Sequence, residues 1–184
     1  IITHIHNLLH SETPVGFKYF APFLTNARQK QKIGIAVESS GGLTASFHTL
    51  EKCGFLPLLC LLIIAKSTHY TLAQLHQKVK NKYGNLFFKE AEYQFNPTDQ
   101  KAIETLLFNA SKATLSQAFR KEIHSIKTND GFKVVFDTQD WICCRLSGTE
   151  PLARIYAESQ SESIAKNLIH KLEVFIQHNL KKTD

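Results

Sequence analysis

The segment Trp141–Glu158, WICCRLSGTEPLARIYAE, decides how the second half of the chain is interpreted. Two β-like runs, Trp141–Cys144 and Ile155–Ala157, flank the polar stretch RLSGTEP at residues 145–151. A chain reversal between them would gather a guanidinium, two hydroxyl groups and a glycine backbone in one turn. These donors suit a phosphate dianion, because a bidentate guanidinium, short hydroxyls and backbone N–H groups all bind its oxygens. The sequence therefore predicts a phosphate-binding loop between two strands.

This segment resembles the phosphate-binding loop in the last domain of the α-D-phosphohexomutases, the phosphoglucomutase and phosphomannomutase family. The family pattern is an aromatic residue, a strand, Arg-Pro-Ser-Gly-Thr-Glu-Pro and then Arg-x-Tyr-x-Glu. This chain departs from it at Leu146, where proline is usual. The resemblance implies that phosphate is bound by Arg145, Ser147, Gly148 and Thr149. Three further residues are expected to support the loop through ion pairs: Arg154, Glu150 and Glu158.

Two motifs nearer the N-terminus resemble the third, sugar-binding domain of the same family. ESSGGL at residues 38–43 is similar to a Glu-x-Ser-Gly-Gly loop, which implies that Glu38 and Ser40 bind sugar hydroxyls. GFK at residues 16–18 is similar to a loop in which Lys18 would contact a phosphate. The alternatives are a serine-capped helix N-terminus for ESSGGL and an ordinary surface lysine for Lys18.

The resemblance also defines what the sequence lacks. Family members act through a phosphoserine in a Thr-Ala-Ser-His-Asn-Pro loop and bind magnesium at Asp-Gly-Asp-Gly-Asp, and neither string occurs here. The family implies Mg²⁺ and hexose 1,6-bisphosphate as cofactors of the longer enzyme, but no catalytic residue and no metal site are predicted in this chain. The trio His4, His6 and His10 does not fit one face of a single regular element. The sequence leaves open the effect of Leu146 and of Cys53, which stands where the family has aspartate.

The composition is typical of a globular protein, with 43% apolar and 21% charged residues among 184. The net charge of +6 is not gathered in a basic arm, so it favours anionic small molecules at least as well as nucleic acid. The four cysteines lack metal-ligand spacing and are typical of a reducing compartment. The longest apolar run, Leu56–Ala65, is too short to span a bilayer and is expected to form a buried helix. With no recognisable signal peptide, we expect a cytoplasmic protein without a membrane or nucleic-acid partner.

The predicted elements divide into two domains. Residues 1–68 are predicted to be the C-terminal portion of the sugar-binding third domain, an α/β remnant. Its expected elements are the strand Lys32–Val37, a helix from about Thr44 and the apolar helix Phe55–Ala65. Residues 69–184 are predicted to be the phosphate-binding fourth domain, an α+β fold with a small, mainly antiparallel sheet covered by helices. Its expected elements are helices from Thr71, from residue 97 to about 113 and over 162–178, and strands over 86–95, 132–136, 141–144 and 155–157. Turns are predicted at Asn129-Asp130-Gly131, before the strand over 132–136, and at Thr138-Gln139-Asp140, before the strand that carries Arg145.

The resemblance implies the C-terminal portion of a phosphohexomutase, which interconverts hexose 1-phosphate and hexose 6-phosphate through a phosphoserine and a bisphosphate intermediate. This chain would bind the sugar and the distal phosphate, and alone it is expected to be inactive. Its expected partners are a hexose phosphate and the missing N-terminal domains, on the same polypeptide or a separate chain. The alternatives are a stand-alone sugar-phosphate binding or regulatory module, or one half of a split mutase. The choice of hexose and the oligomeric state are not indicated by the sequence.

Overall fold

The computed structural model describes residues 8–38 and 40–181. The chain forms two compact units, Ile1–Gly84 and Asn85–Asp184. This division lies one helix beyond the boundary predicted after residue 68, because the helix Leu72–Tyr83 groups with the first unit.

The described part of the first unit contains one short hairpin and three helices. After a 3₁₀ turn at Phe17–Tyr19, its elements are α1 (Ala21–Gln29), β1 (Ile35–Val37), β2 (Leu43–Ala45), α2 (Phe55–Thr68) and α3 (Leu72–Tyr83). Strands β1 and β2 are antiparallel, with Val37 opposite Leu43. Phe17, Leu24 and Ala36 form a small core between the 3₁₀ turn, α1 and one face of β1.

The helix predicted from about Thr44 is wrong, because this segment forms strand β2 and a following turn. Ser46, within this segment, is buried. Its hydroxyl accepts a hydrogen bond from the N–H of Gly34 at 3.0 Å and donates to the carbonyl of Lys32 at 2.9 Å. Pairing with β1 satisfies the backbone of this segment, and that tertiary context outweighs the local helical pattern.

Helix α2 begins where it is predicted but is not buried. The helix carries several large apolar side chains on the surface, between Phe55 and Ile64. Each of these has between 44% and 78% of its area exposed to solvent. A helix that is apolar on all sides needs cover on all sides, and the two-stranded sheet is too small to supply it. Among the described residues, no single helix is long and apolar enough to cross a bilayer. Only α2 and α3 taken together meet the length and composition requirement, and they are bent by 88°.

The second unit is a five-stranded antiparallel sheet with helices on one face, which confirms the predicted fold class. Its elements are β3 (Phe87–Gln94), a 3₁₀ turn at Pro97–Asp99, α4 (Gln100–Asn109), α5 (Lys112–Phe119), β4 (Ile123–Lys127), β5 (Phe132–Phe136), β6 (Trp141–Leu146), β7 (Leu152–Ser159) and α6 (Glu162–Leu180). The strand order is β3-β7-β6-β5-β4. The helix predicted to continue to residue 113 ends at Asn109, and α5 and β4 were not predicted.

Strand alternation in β6 and β7 separates the core from the outer face of the sheet. The inward residues, which pack against α4, α5 and α6, include Ile142, Cys144, Ala153, Ile155 and Ala157. Because successive side chains of a strand point to opposite faces, the intervening residues lie on the outer face. These are Trp141, Cys143 and Arg145 on β6 and Arg154, Tyr156 and Glu158 on β7. The alternation of side chains along β6 therefore places Arg145 on the face of the sheet that does not carry the helices. Arg145 also lies near the end of β6, where the chain enters the turn.

Candidate phosphate and sugar loops

The predicted phosphate loop is a tight connection between β6 and β7. The N–H of Ser147 donates to the carbonyl of Leu152 at 2.9 Å, which closes the base of the loop. The Ser147 hydroxyl oxygen accepts from the N–H groups of Thr149 and Glu150 at 3.4 and 3.3 Å. The hydroxyl oxygens of Ser147 and Thr149 lie 3.5 Å apart. The turn thus brings the two predicted hydroxyl donors together.

Gly148 lies at the exposed tip of this loop. A Cβ atom added there would meet no heavy atom of the protein within 4 Å. Packing within the chain therefore does not require glycine at this position. The open space beside its backbone is what a ligand oxygen approaching the N–H group would need.

Arg145 is held by the hairpin between β4 and β5. Its Nη2 lies 3.3 Å from Oδ1 of Asp130, and both side chains are about one-third exposed, at 31% and 32%. Gly131 has a φ of +83°, and a Cβ atom there would lie 2.5 Å from Cγ of Arg145. The hairpin tip therefore packs directly against the stem of this arginine. The sequence predicted the turn at Asn129-Asp130-Gly131 but not its contact with Arg145.

Arg154 lies closer to the predicted phosphate site than its expected supporting role implied. Arg154 on β7 is paired with Arg145 on β6 and, on its other side, with Glu92 on β3. Nε of Arg154 lies 4.0 Å from Oε1 of Glu92, so it forms an ion pair at the limit of contact. Cross-strand partners share one face of a sheet. The side chains of Arg145 and Arg154 therefore lie on the same face of the sheet, at the strand ends that enter the loop.

The other expected supporting residues contact the loop less directly. Glu158 accepts a hydrogen bond from Nε1 of Trp141 at 3.0 Å, so its partner is an indole rather than a cation. Glu150 is exposed and contributes its backbone N–H to the turn. Leu146, where the family has proline, packs against the core of the second unit. Its apolar side chain therefore anchors the start of the loop.

The predicted sugar loop is the tip of the β1–β2 hairpin. The N–H of Glu38 donates to the carbonyl of Gly42 at 2.8 Å, and Gly41 turns the chain with a φ of +87°. Oε2 of Glu38 accepts from the Ser40 hydroxyl at 3.2 Å and lies 3.4 Å from Nζ of Lys52. Ser39 lies outside the described residues. The hairpin brings the two predicted sugar ligands together, with a lysine that sequence reasoning missed.

The two residues before Lys18 fix its position on the 3₁₀ turn. Gly16 adopts a φ of +126°, which L-residues rarely adopt, and the ring of Phe17 is buried against Phe20. Lys18 remains exposed, with Nζ 5.1 Å from the ring centroid of Tyr19. The GFK motif therefore anchors the turn by its phenylalanine and leaves the ammonium group accessible.

Two domain models of one family match consecutive parts of the chain. The phosphoglucomutase/phosphomannomutase alpha/beta/alpha domain III matches residues 2–83, and the C-terminal domain matches residues 97–173. This chain belongs to the phosphoglucomutase/phosphomannomutase family. The border between the two matches agrees with the division of the structure into two units.

Curated and solved mutases show the same relationship. The chain is 28% identical to human phosphoglucomutase-1 over 179 residues, covering 84% of this chain and 31% of that protein. It is 39% identical over 57 residues to the phosphoglucomutase/phosphomannomutase of Thermococcus kodakarensis, covering 31% of this chain and 12% of that protein. The open form of Paramecium parafusin, a phosphoglucomutase, superposes with a TM-score of 0.69 at 22% identity, covering 95% of this chain and 34% of that one. The chain thus spans about a third of the length of human phosphoglucomutase-1 and of parafusin.

The described residues do not fit the magnesium site of a phosphoglucomutase. No group of three or more His, Cys, Asp or Glu side chains comes together within the described ranges. His4 and His6 lie outside these ranges. Cys53, in place of the family's aspartate, is half-buried, and its N–H donates to the carbonyl of Leu43 at 2.9 Å. Its backbone thus extends the hairpin that carries the sugar loop.

Proposed function

We propose that this chain supplies the distal-phosphate and hexose sites of a phosphohexomutase, which interconverts hexose 1-phosphate and hexose 6-phosphate. The observation that carries the proposal is the pair of arginines beside a turn that holds two hydroxyl groups 3.5 Å apart. Guanidinium groups are the preferred bidentate partners of phosphate, and hydroxyl donors complete its coordination. Family membership makes a hexose phosphate the ligand class to test.

In this proposal the phosphate that does not react binds at the β6–β7 loop. Arg145 forms a bidentate pair with two phosphate oxygens, and Ser147 and Thr149 donate their hydroxyl protons. The N–H of Gly148 would donate to a third phosphate oxygen from the exposed tip of the loop. The Ser147 hydroxyl already organises the turn by accepting from two backbone N–H groups, so binding requires little rearrangement.

The hexose would bind at the β1–β2 hairpin through Glu38 and Ser40. An ionised carboxylate accepts charge-assisted hydrogen bonds from two neighbouring sugar hydroxyls. Lys52 holds one oxygen of Glu38 at 3.4 Å and fixes the orientation of the carboxylate. Lys18 supplies a second accessible ammonium group in this unit, suited to a phosphate contact. The bisphosphate intermediate has to bind in two opposite orientations during the reaction. One carboxylate can bind the sugar in both, because it can accept hydrogen bonds from hydroxyl pairs at different ring positions.

Catalytic turnover would belong to the longer enzyme. The phosphoserine and the magnesium site implied by the family have no counterpart in this sequence, so this chain alone is expected to bind without transferring phosphate. Magnesium, where bound by the rest of a mutase, would stabilise charge on the transferred phosphoryl group. A cytoplasmic location remains a prediction.

The missing part of the enzyme would cover the apolar surface of the first unit. Within the described residues β1 pairs only with β2, and Ile35 and Val37 expose the face of β1 opposite the small core. Helix α2 exposes apolar side chains along its length. The chain spans 31% of human phosphoglucomutase-1, and the family's domain III is an alpha/beta/alpha layer structure. We therefore assign this surface to the remainder of that domain, on the same polypeptide or on a second chain.

Calorimetric titration tests the proposal. The chain is titrated with glucose 1-phosphate, glucose 1,6-bisphosphate and inorganic phosphate, and compared with Arg145→Ala and Glu38→Gln. We expect Arg145→Ala to abolish binding of all three, and Glu38→Gln to weaken the two sugar ligands only. Lys166→Ala removes an exposed cation elsewhere in the second unit and serves as the control. Absence of sugar-phosphate binding, or binding indifferent to Arg145, would contradict the proposal.

A complementation experiment tests whether the N-terminal domains of a mutase complete the active site. The N-terminal domains of a related mutase, added as a separate chain, should restore interconversion of the two hexose phosphates if the segments complement each other. A stand-alone binding module predicts sugar-phosphate binding without any gain of turnover.

A further inference from the structure

The head group of Arg145 uses only a small part of its hydrogen-bonding capacity within the described chain. Its polar contact among these residues is the single approach of Nη2 to Oδ1 of Asp130 at 3.3 Å. A guanidinium carries five N–H donors in a fixed fork. Nη2 carries two N–H groups and takes part in both bidentate edges of the fork, one shared with Nε and one shared with Nη1. A single contact of Nη2 with Asp130 therefore engages one edge and leaves the other available for a bidentate pair with another anion.

The stem of Arg145 is confined at the same time. The space that a Cβ atom of residue 131 would occupy is filled by Cγ of Arg145 at 2.5 Å and by the carbonyl oxygen of Cys144 at 2.8 Å. Only glycine fits there, and its φ of +83° also favours glycine. The tip of the β4–β5 hairpin thus touches Arg145 at its stem through Gly131 and at its head through Asp130.

We propose that Asp130 is a positioning residue that holds the Arg145 guanidinium in its phosphate-binding orientation. The inference rests on the proposed function, because it concerns the same phosphate site. An arginine at a strand end has several rotatable bonds, and ordering them is a cost of binding. Asp130 orders them before the ligand arrives. The sugar phosphate then meets a pre-oriented fork rather than a mobile side chain.

The geometry distinguishes positioning from competition. A carboxylate that competed with phosphate would occupy the fork with two parallel N–H···O bonds, the geometry of strong carboxylate pairs. Asp130 instead makes one contact, and 3.3 Å is longer than a strong charge-assisted bond. Its own interactions also extend beyond Arg145. Phosphate can therefore bind Arg145 without displacing Asp130.

The test measures glucose 1-phosphate binding to the whole chain with Asp130→Ala and Asp130→Asn, each in the wild-type and Arg145→Lys backgrounds. In the wild-type background we expect binding about tenfold weaker for Asp130→Ala, since ordering a long side chain costs roughly that factor. Asp130→Asn keeps an oxygen acceptor and should lose only about twofold to threefold. In the Arg145→Lys background both changes should have less than about twofold effect, because the group they position is gone. Asp137→Asn, at an exposed turn of the same sheet, is the matched control.

A spectroscopic measurement without ligand gives an independent answer. We expect the Nη resonances of Arg145 to show slowed rotation about the Nε–Cζ bond in the wild type and faster rotation in Asp130→Ala. Tighter glucose 1-phosphate binding by Asp130→Asn would show competition and overturn the proposal, as would an equal loss in the Arg145→Lys background. If no variant binds sugar phosphate, the proposed function fails. The rate of rotation about the Nε–Cζ bond of Arg145, compared between the wild type and Asp130→Ala, would still show whether Asp130 positions the guanidinium.

Discussion

Arg145 and Arg154 lie directly opposite each other on adjacent antiparallel strands, β6 and β7. Each has a carboxylate on its far side, Asp130 beside Arg145 and Glu92 beside Arg154. Like charges directly opposite each other destabilise a strand pair. The two acids offset this repulsion. An anion bound between the arginines would interact with both guanidinium groups, which is why we propose this end of the sheet as the phosphate site.

Arg154→Gln should separate binding from stability. We expect glucose 1-phosphate binding to weaken about tenfold, since a charged contact is lost. The free energy of unfolding should stay unchanged or rise by about 0.5 kcal/mol, because the repulsion across the strands is removed. Calorimetric titration and urea unfolding measure the two quantities. Unchanged binding would show that Arg154 only supports the sheet.

Two glycines of the phosphate site should respond differently to alanine. Gly131→Ala should lower the free energy of unfolding by about 1–3 kcal/mol, because a Cβ atom clashes with Arg145 and the φ is positive. Gly148→Ala meets no neighbouring atom and should leave stability within about 0.5 kcal/mol. Its effect should appear only as weaker sugar-phosphate binding. Equal destabilisation by both changes, measured by urea unfolding, would contradict this account.

The buried carboxylate of Asp140 should stabilise the second unit in a pH-dependent way. Burial alone would raise its pKa most, but hydrogen bonds from Lys121, Thr138 and Ser159 together hold the pKa below the ordinary value of 3.8. A lowered pKa contributes stability that is complete above the unfolded value and is lost as pH falls through the folded one. Asp140→Asn should therefore cost about 1–3 kcal/mol at pH 7.

Urea unfolding of the wild type and Asp140→Asn at several pH values checks this sign. The difference between the two proteins should shrink as the pH falls below 3.8. A constant difference across this range would mean that the hydrogen bonds, and not the charge, carry the effect.

The cysteines should differ strongly in their reactivity towards iodoacetamide. Burial, with a contribution from Cys143, raises the pKa of the Cys144 thiol to about 12, so almost no thiolate forms at neutral pH. Cys60 on α2 is exposed and should be alkylated first. Mass spectrometry of the native chain over time gives the order. Early labelling of Cys144 would indicate that the core of the second unit opens readily.

The apolar surface of α2 should drive association of the isolated chain. Leu59→Glu places a charge on this surface and should reduce self-association without unfolding the second unit. Ser67→Glu adds the same charge near the polar end of the helix and serves as the control. Sedimentation velocity measures the outcome. Equal association of both variants would place the contact elsewhere.

The sequence predicted the second unit well because its signals are local. Asn129-Asp130-Gly131 and the turn at Gln139 need backbone conformations that few residues adopt, and both turns form where predicted. The alternation around Arg145 then fixes which face of β6 it occupies. The helix α5 was missed because the apolar pattern from residue 97 is continuous, whereas the chain turns at Ala110 and Ser111 caps a new helix.

The first unit was predicted less well because its structure depends on partners. Strand β2 is fixed by pairing with β1, which no local pattern shows. The approach of Lys52 to Glu38 joins residues that are fourteen positions apart, and it arises from the hairpin rather than from either motif. The burial expected for α2 requires neighbours that the described chain does not contain.

Helix α2 has a consequence for how such a chain would fare inside a cell. Chaperones and proteases act on chains that expose apolar segments, whether or not those chains are misfolded. A folded chain that displays a mostly apolar helix without cover would be treated like one still folding, however stable its second unit is. Its survival time would then depend on how soon a covering layer arrives.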